Sequence, residues 1–276
     1  MSRDPALIPF SFGPESRPLN VQPPLSRYSF FQVISGRPSC GKTTCLLNLI
    51  CRSKFYAGQF DTVFLVSPSF CSLGSADEIF AGIPESQRYT ELTQDTLDSI
   101  TRQIKDDCQG QRVLIVLDDV VNDVQRSACN ADLQRLCFNR RHVTSMDNNA
   151  PPGGFCSIIA TTQVLNRLPL ALRKMASSVW LFPTRSPKER ACIYDELCPA
   201  DKKSFEKIIG QAWTSRYTPL ICDVDAGLFY RIDPSTQQFQ LIKSDDEWEP
   251  NETENEDELE RASRQSLEAA RRFRRV

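Results

Sequence analysis

The sequence predicts an α/β fold: a mostly parallel sheet with helices on both faces and a small β-rich C-terminal part. Two observations carry that reading. One is the stretch Gly36-Arg37-Pro38-Ser39-Cys40-Gly41-Lys42-Thr43, which fits the phosphate-loop pattern G-x-x-x-x-G-K-[ST] between an apolar run and a helical one. The other is the alternation downstream of short β-branched or aromatic runs with segments whose apolar residues recur at three- and four-residue intervals.

The 276 residues suit one principal core with extensions. Pro5, Pro9, Pro14, Pro18, Pro23 and Pro24 all precede Arg27, so residues 1–27 read as an extended arm. Its Leu7, Ile8, Phe10 and Phe12 would suit docking on a neighbouring subunit. A nucleotide-binding domain is expected over 28–243. Tyr28–Ile34 reads as the strand entering the phosphate loop, and Thr44–Ile50 continues in helical period. The glycines let backbone N–H groups turn around a β-phosphate while the helix presents its positive end to the same anion. Gly36, Arg37, Pro38, Ser39, Cys40, Gly41, Lys42, Thr43 and Thr44 would thus cradle ATP, with Lys42 on the β- and γ-phosphates and Thr43 ligating Mg²⁺.

Thr62–Val66, Val113–Leu117, Cys156–Ala160 and Ser178–Phe182 suit strands buried on both faces. Glu91–Lys105 and Asp123–Cys137 read as crossover helices, and Pro187–Gln211 as helical. Thr218–Val224, Gly227–Ile232 and Phe239–Ile242 read as strands that end the domain or form an antiparallel appendage. Residues 244–276 are expected to be a disordered tail: Asp245–Glu260 holds ten acids and no base, and Arg261–Arg275 is predominantly basic. Without that tail the body carries a charge of about +3, which permits nucleic-acid contact without requiring it.

Eleven cysteines with no C-x-x-C pair point to reduced thiols in an intracellular compartment. With His142 the sole histidine, no structural metal is expected. The proline-broken N-terminus lacks a signal-peptide core and no stretch reaches membrane-spanning length, so a soluble protein without membrane contact is expected.

Val113–Leu117 delivers Asp118 and Asp119 to the expected nucleotide edge. Asp118 would hold Mg²⁺ and Asp119 would polarise the attacking water; two acids there would otherwise cap the next helix. Ser157–Ala160 ends in Thr161-Thr162-Gln163, where Gln163 or Thr162 would sense a γ-phosphate, or simply form a turn. In Asn139-Arg140-Arg141-His142 a guanidinium suits transition-state charge, in its own site or a neighbouring subunit's, while the bland alternative is a charged surface. Arg167 and Arg173 are further candidates for that role, and His142 reads as structural. Cys40 would make the loop sensitive to oxidation.

With Val63–Pro68, Leu220–Asp225 and Phe229-Tyr230-Arg231 added, the order of motifs from Phe30 to Ile232 resembles the genome-packaging ATPases of poxviruses, giant viruses, virophages and Polinton or Maverick elements in the FtsK–HerA superfamily. The resemblance implies a RecA-like P-loop ATPase that assembles as a homo-oligomeric ring and drives double-stranded DNA into a capsid. Its partners would be DNA and capsid or portal-like proteins, in a host nucleus, a cytoplasmic virus factory or the virion. It further implies that Lys42 and Thr43 bind phosphate and Mg²⁺, Asp118 holds the metal, Asp119 activates water, and Gln163 couples γ-phosphate state to movement. Arg140 or Arg141 would reach the neighbouring subunit's site. An ATP-binding DNA-binding or assembly adaptor without sustained turnover is the competing reading. A nucleotide kinase is a further one, against which the paired acids favour water activation; no Asn-Lys-x-Asp segment supports a GTPase.

Overall fold

The computed structural model describes residues 17–68, 82–121, 124, 128–144, 153–233, 235–236 and 238–242. All belong to one compact unit, Ser16–Asp245. The acidic-then-basic tail and the arm through residue 16 lie outside the described residues.

The described strands form a single sheet. They are β1 (Phe31–Ser35), β2 (Thr62–Val66), β3 (Arg88–Tyr89), β4 (Arg112–Leu117), β5 (Phe155–Thr162), β6 (Ser178–Leu181), β7 (Leu220–Asp223), β8 (Leu228–Ile232) and β9 (Phe239–Leu241). Their order is β3-β2-β4-β5-β1-β6-β7-β8-β9. Pairing is parallel from β3 through β6 and antiparallel from β6 through β9. The late strands therefore continue the main sheet across β6 rather than standing apart from it.

Residues alternate between two apolar layers, as a period of two requires. Val113, Ile115 and Leu117 of β4 join one layer, while Leu114 and Val116 join the other. The first layer is roofed by α2 (Gln94–Asp107), α3 (Asn130–Asn139), α4 (Leu170–Lys174), α5 (Pro187–Leu197) and α6 (Lys202–Ala212), which contribute among others Ile100, Leu133, Leu172, Ile193 and Phe205. The second is roofed by α1 (Lys42–Cys51) through Leu46 and Leu49, by Tyr56, and by Leu19, Val21 and Leu25. Helices thus lie on both faces, and among the described residues α1 is alone on one of them.

Residues 17–27 correct the reading of that stretch as an extended arm. Leu19, Val21 and Leu25 are buried, and the Leu19 N–H donates to Arg27 O at 2.6 Å. The chain turns at Pro23–Pro24, where the Leu25 N–H donates to Gln22 O at 3.0 Å, and its apolar residues cover part of the sheet face that α1 leaves open.

The expected Pro187–Gln211 helix is two helices. Pro199 cannot donate to a helical carbonyl, and Asp201 restarts the chain by accepting from the N–H groups of Lys203 at 2.6 Å and Ser204 at 3.0 Å. The two-residue β3 and the five-residue α4 are too short to show a periodicity. Among the described residues no helix is long and apolar enough to cross a membrane.

β1 and β6 are parallel neighbours whose connections diverge. β1 leads through α1 on one face to β2, and β6 leads through α5 and α6 on the other face to β7. A crevice at the carboxyl ends of such strands is where open α/β sheets bind ligands.

Candidate functional site

The phosphate loop follows β1 into that crevice. The Gly36 N–H donates to Thr162 O at 3.1 Å, tying the start of the loop to the end of β5. A Cβ on Gly36 would lie 2.6 Å from both Cys40 Sγ and Phe182 Cβ, so only a bare backbone fits. Ser39 (φ 61°) and Gly41 (φ 101°) take left-handed conformations that reverse the chain into α1.

Helix α1 starts at Lys42 with no side-chain cap and no acidic residue in its first turn. Its opening amides keep their positive polarity, and a cavity of about 270 Å³ lies against Ser39, Gly41, Lys42, Thr43 and Thr44. The Lys42 ammonium donates to Gly36 O at 2.7 Å and Arg37 O at 3.3 Å. A bound phosphate would offer that ammonium a charged acceptor in place of two neutral carbonyls. Arg37, Pro38 and Ser39 are exposed, and of these Ser39 borders the phosphate cavity. Cys40 is 8% exposed and burial pushes its thiol above the usual range despite the nearby Lys42, which disfavours the reactive thiolate.

β5 stands between β1 and β4, so Thr161, Thr162 and Gln163 come between the phosphate loop and the two acids. Asp118 is 3% exposed, with Oδ1 accepting from the Thr161 hydroxyl at 2.8 Å and Oδ2 from the Ser67 hydroxyl at 3.0 Å. Burial pushes its carboxyl above the usual range and the Asp119 charge adds to this, while the two hydroxyls and Lys42 pull the other way. Such a carboxylate gains from a cation brought beside it.

Asp119 sits at φ 56°, a conformation Asp tolerates better than most residues. Its N–H donates to Thr161 Oγ1 at 2.8 Å, and its Oδ2 accepts from Gln163 Nε2 at 3.0 Å. Thr161 thereby fixes both acids at once. The acids and Gln163, placed separately along the chain, form one hydrogen-bonded group.

The arginines divide. Arg140 lies at the opposite end of the strands from the phosphate loop, where its carbonyl accepts from the Cys156 N–H at the start of β5. Its guanidinium is buried, donating to Cys137 O at 2.9 Å and Ser177 Oγ at 3.4 Å, which commits it to its own fold. Arg141 and His142 are exposed beside it. Arg173 is held by Glu196 through Nε–Oε2 at 2.8 Å and Nη2–Oε1 at 2.7 Å, and also donates to the carbonyls of Asn166 and Leu168. Arg173 therefore braces the segment after β5. Arg167 is exposed within that segment, four residues beyond Gln163.

Two side chains that hold the site escape a reading of the residues alone. Ser67 has no local signal and meets Asp118 only because β2 and β4 are paired in register, with Val66 opposite Leu117. Phe182 meets Gly36 through the pairing of β1 with β6.

The family profile described as NB-ARC domain matches residues 22–142, a span holding the phosphate loop and the Asp118–Asp119 pair. No curated protein sequence matches the chain. Among solved structures, the genome packaging NTPase B204 from Sulfolobus turreted icosahedral virus 2 is similar in its complex with sulfate: 16% identity, 78% of this chain and 96% of that chain covered, TM-score 0.51. Its complex with AMP gives 16% identity, 78% and 97% coverage, and a TM-score of 0.50. At that identity the likeness is one of fold, and the fold is that of the P-loop NTPases.

Proposed function

We propose that this chain is an ATP-hydrolysing motor that moves double-stranded DNA, in the manner of a viral genome-packaging ATPase. The observation that carries the reading is the hydrogen-bonded group Asp118–Thr161–Asp119–Gln163 on the strands beside the phosphate loop. One buried carboxylate placed for a cation and a second placed beside an amide suit the activation of water against a γ-phosphate.

The residues present fit Mg²⁺. The Thr43 hydroxyl and the Asp118 carboxylate are hard oxygen donors, and the described residues contain no cluster of three or more His, Cys, Asp or Glu that would form a closed cage. Thr43 and Asp118 would hold Mg²⁺, which would supply neutralisation of the phosphate charge. Lys42 would bind the same phosphates, Asp119 would orient and polarise water, and Gln163 would link that water to the phosphate.

The coupling to DNA is supported by the sequence pattern and by the fold shared with a protein described as a genome packaging NTPase. In a ring of copies, Arg141 is the member of the Arg140–Arg141 pair exposed for a neighbouring site. DNA and capsid or portal-like proteins would be the partners, with backbone contacts sufficient for DNA because a packaging motor has no sequence to read.

The test is ATP hydrolysis by the full chain with and without double-stranded DNA, beside Lys42→Ala and Asp119→Asn. The motor reading expects DNA-stimulated turnover that both variants lose, with ATP binding retained in Asp119→Asn. ATP binding without turnover on DNA, in a confirmed oligomer, would replace the motor by an adaptor.

A further inference from the structure

A nucleoside triphosphate held by its phosphates at the start of α1 needs room beside that site for its base and sugar. The phosphate cavity shares Gly41, Thr44 and Tyr217 with a second cavity of about 490 Å³. That cavity runs along α1 past Asn48 and is walled by Phe55, Trp180, Phe182, Ile232 and Phe239. Its size, and an aromatic wall that also carries Thr44, Asn48, Arg52, Lys54 and Thr218 as polar groups, are those of a small-molecule site. The antiparallel extension supplies Ile232 and Phe239, which gives β8 and β9 a role beyond widening the sheet.

Tyr217 stands where the two cavities join. Its loop is pinned at one end by the Trp213 indole N–H, which donates to Leu181 O at 2.9 Å. Within the loop the Tyr217 N–H donates to Ser215 Oγ at 3.2 Å, and the Thr218 hydroxyl donates to Ser215 O at 2.9 Å. The ring lies over the phosphate loop, so near that a Cβ on Gly41 would sit 3.5 Å from Tyr217 Cδ1. The Arg216 guanidinium carbon is 4.5 Å from the ring centroid, and the ring is still 56% exposed. An exposed aromatic on a loop restrained in this way contributes little to the core, but a planar partner meets it with less loss of conformational entropy than on a free loop.

We propose that the second cavity is the nucleoside subsite, and that Tyr217 stacks on the base and so turns a phosphate site into a nucleotide site. This rests on the phosphate-binding reading of Gly36–Thr44. Arg216 on the ring strengthens the arrangement by cation–π contact. Stacking of a base on an aromatic side chain corresponds to about ten- to hundredfold in affinity.

Calorimetric titration of the full chain with ATP and with inorganic tripolyphosphate, in matched Mg²⁺, separates the two subsites. Wild type should bind ATP at least about tenfold more tightly than tripolyphosphate. Tyr217→Ala should lose most of that difference, read as the ratio of the two affinities because Tyr217 also borders the phosphate cavity, and Tyr217→Phe should keep it. A Tyr217→Ala protein that melts like wild type yet retains the full ATP preference overturns the role of Tyr217. Equal wild-type affinities for the two ligands overturn the nucleoside subsite and leave the phosphate site standing. Binding of neither ligand overturns the phosphate-site reading, and this proposal with it.

Discussion

Gly36→Ala tests the packing that shapes the phosphate loop. The added Cβ would meet Cys40 Sγ and Phe182 Cβ, each at 2.6 Å and so about 0.8 Å inside ordinary van der Waals contact. Phe182 is pinned by its N–H to Ser35 O at 2.9 Å and Gly36 by its N–H to Thr162 O at 3.1 Å, so neither backbone can retreat without breaking a bond between the end of β1 and a neighbouring strand. Overpacking of this kind costs about 1–3 kcal/mol. For a unit of this size that is about 2–12 °C in melting temperature. Because the displaced atoms belong to the loop, ATP affinity should fall together with stability. Adding Cys40→Ala removes one of the two obstructing atoms and should recover part of both losses, leaving the Phe182 contact. Thermal denaturation and ATP titration of the single and double variants make the measurement. Gly36→Ala with wild-type melting and wild-type ATP affinity would refute the reasoning, as would a Cys40→Ala change that only adds to the damage.

Two further predictions concern Asp118. Its folded-state carboxyl is raised, so the folded protein binds this proton more tightly than the unfolded chain does. The charged form therefore costs stability at neutral pH, and Asp118→Asn should melt at or above wild type without nucleotide while losing Mg²⁺-dependent hydrolysis; a clear drop in melting temperature would contradict the burial argument. Ser67→Ala removes one hydroxyl that favours the carboxylate, so the Asp118 pKa should rise further and the acid limb of the kcat/KM profile should move to higher pH. An unmoved acid limb would mean that Asp118 does not govern it.

The phosphate loop and the Asp118–Asp119 pair were legible in the sequence because each is local chemistry. A glycine-rich turn between a strand and a helix, or an apolar run ending in acids, carries its meaning within a dozen residues. The buried strands could be read for the same reason, since β-branched runs bounded by polar residues need no partner to be recognised. The break at Pro199 and the restart at Asp201 were also local signals, overlooked because helical period continues on either side of them. In residues 17–27 proline content reports backbone stiffness and says nothing of what Leu19, Val21 and Leu25 touch.

By itself the sequence determined which segments form strands, helices and turns, and which groups have chemistry suited to phosphate, a cation and water. Tertiary structure decided the strand order, and with it every contact between distant segments. By placing β5 between β1 and β4 it brought Thr161 and Gln163 to the acids. By pairing β1 with β6 it set Phe182 against Gly36 and opened the crevice that Tyr217 overlooks. It also sent Arg140 to the opposite end of the strands and buried it. A side chain's type is written locally, whereas its neighbours across a sheet follow from register and crossover, which no short window of sequence contains.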